Sequence, residues 1–117
     1  MPTLLLVDDN EGLRVTLSAI LEDEGLDVRA VGSCAEAKKS LEMKGSSYAG
    51  VILDVHLADG LGTDLVPVVR ALHPGAKVML LSGADEIGSH ACGADAELSK
   101  GGDFEDLLTQ IRSIVGA

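Results

Sequence analysis

Thr3-Leu4-Leu5-Leu6-Val7-Asp8-Asp9-Asn10 drives a short apolar run straight into two aspartates and an asparagine, and Val51-Ile52-Leu53-Asp54 repeats the pattern. A run with no polar alternation is what a strand covered on both faces carries, because neither row of its side chains meets water. Strands are therefore expected over about 3–8 and from Val51 to Leu53, each delivering carboxylates at its end. After the first of them, Leu13, Leu17, Ile20 and Leu21 recur at helical spacing from Glu11 until Gly25, a natural stop beyond the last turn.

The same alternation continues outward. Asp27 to Val31 reads as a second strand, and Ser33 is placed to cap a helix that carries Ala37 and Leu41 and fades at Gly45. Behind Asp54 lies a glycine-bearing acidic loop, Asp59 to Gly62, then a helix near 64–72. Pro67 is tolerated in a first turn there but bends the helix if its start lies earlier. Lys77 to Leu81 reads as a fourth strand ending at Ser82 and Gly83, and Ala96 to Ser99 as a fifth ending at Lys100. The last helix puts Phe104, Leu107, Leu108, Ile111 and Val115 on one face, with Asp103, Glu105 and Asp106 in the first turn, where the helix dipole favours them. Strand followed by helix, five times over with no internal linker, predicts an α/β domain over 1–117. Its single five-stranded parallel sheet would have helices on both faces.

Composition agrees and excludes several functions. Apolar residues make up 46% of the chain, yet there is no tryptophan and only one tyrosine and one phenylalanine, so Leu, Val, Ile and Ala must do the packing. The net charge of −10 repels phosphate backbones and anionic lipid, which argues against direct nucleic-acid or membrane binding. Cys34 and Cys92 form no disulfide framework and no zinc spacing, and read as reduced thiols. The opening residues form neither a signal peptide nor a membrane span, so a cytoplasmic protein is expected.

In an open parallel sheet the carboxyl ends of the strands gather at one edge. The first strand brings Asp8 and Asp9 there, the third Asp54, the fourth Ser82 and the fifth Lys100. Singly these are a turn former, a cap or a surface lysine; together they are the groups that phosphoryl transfer needs. Three crowded carboxylates repel one another, and a hard dication such as Mg²⁺ relieves the repulsion through oxygen ligands. Such an ion also neutralises charge on incoming phosphoryl oxygens, while a hydroxyl and an ammonium hold the rest. Asp54 is a competent nucleophile, since carboxylates form covalent phosphate intermediates.

At this point the chain resembles a response-regulator receiver domain along nearly its whole length. The resemblance rests on Leu5 to Asp9 with Asn10, on Val51 to Asp54, and on Leu57, Asp59, Gly60, Gly62 and Asp64. Leu81 to Gly83 and Gly93 to Asp95 leading to Lys100 complete it. It implies a flavodoxin-like fold with strand order 2-1-3-4-5, which is carried over from that class and not read from these residues. It further implies that Asp54 is the phosphoacceptor, that Asp9 and Asp54 bind Mg²⁺ directly and Asp8 through water, and that the backbone carbonyl of His56 completes the protein's share of the coordination. Ser82 and Lys100 would contact the phosphoryl oxygens. A sensor histidine kinase or histidine phosphotransfer protein would be the donor, and a downstream protein the target.

Three departures stand out. The family usually has an aromatic residue three positions before the lysine, where this chain has Glu97. Gly101 and Gly102 stand where a cis proline is usual; a cis Lys100–Gly101 bond would cost about 2.5–4 kcal/mol, so a trans bond or a rearranged loop is expected. The Ser82–Lys100 interval is short by about one helical turn, which predicts a frayed segment over 85–92. His56, His73 and His90 read as surface histidines, with His56 set beside the acceptor where it could affect hydrolysis. Two other readings stay open. One is a degenerate receiver that binds proteins without accepting phosphate. The other is a cobalamin-binding module, suggested by Asp54-Val55-His56, although that motif needs glycine where Asp59 stands.

Overall fold

A computed structural model describes residues 3–45, 47–82, 94–99 and 103–115 of the chain. Five parallel strands form one sheet: β1 (Thr3–Val7), β2 (Asp27–Val31), β3 (Gly50–Asp54), β6 (Lys77–Ser82) and β7 (Ala96–Ser99), in the order β2-β1-β3-β6-β7. This is the predicted order 2-1-3-4-5 with two short strands interposed. Those two, β4 (His56–Leu57) and β5 (Gly60–Leu61), form an antiparallel hairpin within what the sequence presents as a plain loop. The helices are α1 (Glu11–Asp23), α2 (Cys34–Glu42), α3 (Val66–Leu72) and α4 (Phe104–Val115).

The apolar runs do what their lack of alternation requires. Leu5, Val7, Val51, Leu53, Val78 and Leu80 point to one face and pack with Ala37, Leu41, Val66 and Val69 of α2 and α3. Leu4, Leu6, Ile52, Met79, Leu81 and Leu98 point to the other and pack with Leu17, Leu21, Leu107 and Ile111 of α1 and α4. Consecutive strand residues thus fill two separate cores, which requires Leu4 to Val7 of β1 and Val51 to Leu53 of β3 to be apolar without a break. Asp27-Val28-Arg29-Ala30-Val31 differs because β2 is an edge strand; of its residues only Val31 is buried.

Helix ends follow the local signals. Gly25 takes φ +87° after α1, its N–H reaching the Glu22 carbonyl at 3.0 Å and the Leu26 N–H reaching Leu21 at 3.2 Å. Such an αL glycine closure satisfies the last carbonyls and buries Leu26 against the helix. Ser33 caps α2 as expected. The helix expected near 64–72 is divided: a 3-10 turn at Gly62–Leu65 leads into α3, whose first turn contains Pro67, the position where its missing N–H costs no bond. Phe104 opens α4 at 36% exposure; the buried face begins only at Leu107.

The expectation of surface histidines needs correction at His73. It is half-buried, its Nε2 lies 2.9 Å from the Leu41 carbonyl, and its ring meets that of Tyr48 edge-on at 5.2 Å. The expected frayed segment at 85–92, the Lys100–Gly101 bond, Cys92 and His90 lie outside the described residues. No helix among the described residues is long and apolar enough to cross a membrane.

One tie at the rim of the core beneath α3 bears on acid stability. Asp95 Oδ2 accepts from the Val78 N–H at 2.8 Å and from Arg70 Nη2 at 3.1 Å, joining β7 to β6 and α3. The Val78 N–H first, and then Arg70, hold its carboxyl below the usual carboxylate range. A carboxyl with its folded pKa depressed stabilises the fold above its unfolded pKa, near 3.9, and loses that contribution as pH falls through the folded value. Asp95→Ala is therefore expected to cost about 1 kcal/mol at neutral pH, discounted for solvent screening. The difference from wild type should shrink as pH drops below 4 in denaturant titrations; a gap that stays constant down to the acid limit would refute the assignment.

Candidate functional site

The register of the sheet decides which residues meet. Val7 lies beside Leu53, and Leu53 beside Leu80, so β1, β3 and β6 end together and release Asp8, Asp54 and Ser82 at one edge. Asp8 and Asp54 are buried at 0% and 4% exposure, whereas Asp9 is exposed. One carboxylate oxygen from each of Asp8, Asp9 and Asp54 lies within 4.8 Å of the other two. Sequence reasoning anticipated this cluster because an apolar strand that stops at an acid in parallel sheets must put that acid at the carboxyl edge.

Asp8 is fixed by its neighbours. Its N–H donates to the Val31 carbonyl at 3.1 Å, its Oδ1 accepts from the Asn10 N–H at 2.8 Å, and its carbonyl accepts from Arg14 Nη1 at 2.8 Å. Asn10 then caps α1 through Oδ1, which accepts from the Leu13 N–H at 3.1 Å. The acidic corner and the start of α1 are therefore a single hydrogen-bonded unit.

Ser82 stands at the end of β6, 1% exposed, and its Oγ is buried with no hydrogen-bond partner among the described residues. A buried hydroxyl in that state costs free energy unless something else engages it. His56 opens the hairpin two residues beyond Asp54, paired with Leu61, and its side chain is exposed. Lys100 lies outside the described residues, so only its neighbour Ser99, paired with Ser82 at the end of β7, is placed. Glu97 is half-buried on β7 beside Leu80.

The loop behind Asp54 is drawn tightly under it. Gly62 donates its N–H to the Val55 carbonyl at 2.8 Å, and a Cβ at 62 would overlap the Asp54 carbonyl oxygen. Two residues here were not singled out for such contacts by the sequence. Asp59 accepts from the Cys34 N–H at 2.8 Å and the Ala35 N–H at 3.1 Å, and these two bonds hold its carboxyl below the usual range. Arg14 grips Asp8 as described. Asp59 and its partners are 24 and 25 residues apart, a separation that leaves no local signal. The Cys34 thiol is raised by burial and then by Asp59, which leaves it protonated and a poor nucleophile.

As a donor set, three carboxylates on a rigid strand edge offer oxygen alone, which suits a hard dication and not a soft transition metal. The profile of the response regulator receiver domain matches residues 4–112. The chain belongs to that family. The receiver domain is similar to the photosynthetic apparatus regulatory protein RegA of Rhodovulum sulfidophilum, with 31% identity over 116 residues, covering 96% of this chain and 62% of the relative. It spans about three fifths of the length of the first curated relatives it matches.

Among solved structures, a CheY-like receiver domain protein from Methanospirillum hungatei JF-1 superposes with a TM-score of 0.87 at 28% identity, covering 99% of this receiver and 94% of that chain. The response regulator TrrA from Thermotoga maritima, solved in complex with Mg²⁺-BeF, gives 0.84 at 26% identity, covering 97% and 99%. The family resemblance and the fold class read from the sequence are thus borne out. Neither comparison favours the cobalamin-binding alternative.

Proposed function

We propose that this receiver of a two-component system accepts a phosphoryl group on Asp54 from the phosphohistidine of a sensor histidine kinase or histidine phosphotransfer protein, and in that state changes its binding to a downstream protein. The observation that carries the reading is the convergence of Asp8, Asp9 and Asp54, two of them buried, within 4.8 Å at the ends of two paired strands, β1 and β3. Like charges at that spacing repel, and a bound cation would relieve the repulsion. Asp9 and Asp54 would hold Mg²⁺ directly, Asp8 through water and His56 by its backbone carbonyl. When bound, the ion neutralises charge on the phosphoryl oxygens. Support for Mg²⁺ comes from the oxygen-only donor set and from the Mg²⁺ complex of the similar TrrA.

The chain's own residues then divide the work. An Asp54 carboxylate oxygen attacks phosphorus in line; the P–N bond to the donor imidazole breaks, and the imidazole keeps the electron pair. Ser82, with its buried Oγ, and Lys100 take phosphoryl oxygens. The domain thereby catalyses its own phosphorylation and dephosphorylation and no other turnover, in the cytoplasm where such donors reside.

Incubation with Mg²⁺ and acetyl phosphate, followed by intact-mass measurement, tests the proposal. A mass gain of one phosphoryl group is expected, abolished by EDTA and by Asp54→Asn. Wild-type protein that gains no mass would instead be a binding module that takes no phosphate.

A further inference from the structure

The hairpin that follows Asp54 is too small to stand alone. It pairs two residues with two, and an isolated two-stranded hairpin is marginal in water even when longer. What fastens its far end is Asp59, at the turn between β4 and β5. Both its carboxylate oxygens are engaged by the first two N–H groups of α2, Cys34 at 2.8 Å and Ala35 at 3.1 Å. Next to them Cys34 Sγ lies 3.8 Å from the Leu61 carbonyl, and a Cβ on Gly60 would come within 3.3 Å of the same sulfur. Hairpin and helix start are in direct contact across 24 residues of sequence.

Helix α2 has another cap. Ser33 Oγ accepts from the Glu36 N–H at 3.1 Å while the Glu36 carboxylate accepts from the Gly32 N–H at 3.0 Å, a reciprocal capping box. The helix would therefore start at Cys34 with or without Asp59. The turn of the hairpin, by contrast, meets the helix start through the two Asp59 bonds and the approach of the Cys34 sulfur to Leu61. The bond between them serves the loop more than the helix.

We infer that Asp59 is a positioning residue for the metal site: it pins the hairpin to the start of α2 and thereby fixes the His56 backbone beside Asp54. The inference rests on the Mg²⁺ reading proposed above and assigns to that site a residue that touches neither the metal nor the phosphoryl group. It also makes the first turn of α2 responsive to the site, since a shift of the hairpin must strain or relax the bonds to Cys34 and Ala35. Loss of an outer group that orients a ligand typically lowers metal affinity by about 10–100-fold.

Calorimetric titration with Mg²⁺ alone, on the full chain, separates positioning from plain stabilisation. Asp59→Ala is expected to weaken Mg²⁺ binding about tenfold. Ser33→Ala, which removes the other cap of the same helix and no contact to the hairpin, is expected to leave binding unchanged. Should Asp59→Ala fail to fold, Asp59→Asn keeps one acceptor oxygen and should show a smaller loss in the same direction. In wild type the amide resonances of Cys34 and Ala35 should move on Mg²⁺ addition. Wild-type affinity in Asp59→Ala, an equal loss in Ser33→Ala, or unmoved Cys34 and Ala35 amides would each overturn the latch while leaving the metal site standing. A wild-type chain that takes no Mg²⁺ would remove the metal reading, and the latch with it.

Discussion

Gly62→Ala is expected to lower the unfolding free energy by about 3 kcal/mol, the upper range for forcing atoms into a packed site. The added Cβ would overlap the Asp54 carbonyl oxygen, lie 2.9 Å from its carbonyl carbon and touch the Leu53 Cβ at 3.4 Å. None of these can give way cheaply. Asp54 and Leu53 belong to β3, which is paired on both sides to β1 and β6 and buried on both faces. Moving the other partner is no easier, because the Gly62 N–H is held by Val55 at 2.8 Å and the 3-10 turn starts there. Gly62 does not have a positive φ, so the demand for glycine comes from close approach and not from backbone handedness. Guanidinium denaturation of wild type and variant gives the difference directly, and a melting temperature lower by about 10 °C should accompany it. A loss under about 1 kcal/mol would mean the loop relaxes freely, contrary to the packing described.

What the sequence revealed and what it hid divide along a physical line. Leu4 to Val7 and Val51 to Leu53 betray their strands because full burial removes every polar residue, and the acids that follow must then sit at the sheet's carboxyl edge. Asp8, Asp9, Asp54 and Ser82 were legible for that reason. Contacts made by polar groups across the fold leave no such imprint. Asp59 reads as an ordinary turn former before glycine, yet it holds the start of α2. His73 looks like any surface histidine until Tyr48 and the Leu41 carbonyl close around it. Pro67 is compatible with a first turn of the helix expected near 64–72, but nothing local discloses the 3-10 turn before it, which depends on how Gly62 is drawn under Asp54. Phe104 fits the helical stripe of α4 by period; its position at the helix's first residue, beyond the packed turns, leaves it at 36% exposure.

Mg²⁺ added at about ten times its dissociation constant should stabilise the domain by about 1.4 kcal/mol, since a ligand confined to the folded state contributes RT ln(1 + [L]/Kd). For a chain of this size that corresponds to a melting temperature higher by about 5 °C. In the proposed site the gain would come from the carboxylate cluster. At 4.8 Å two like charges in a partly buried setting repel by about 3 kcal/mol, reduced where water reaches Asp9. A dication among them reverses the sign of that interaction. Simple screening would also relieve repulsion, but NaCl at matched ionic strength acts mainly on exposed charges and should raise the midpoint far less. Asp9→Asn and Asp54→Asn should each shrink the Mg²⁺ response, and they do so from opposite positions. Asp54 is buried, so its replacement also alters packing and hydrogen bonding around β3; Asp9 is exposed, so its replacement disturbs little beyond one ligand charge. A diminished response in Asp9→Asn with an unchanged metal-free midpoint therefore isolates coordination from folding. An undiminished response in both variants would place the ion elsewhere on this acidic surface.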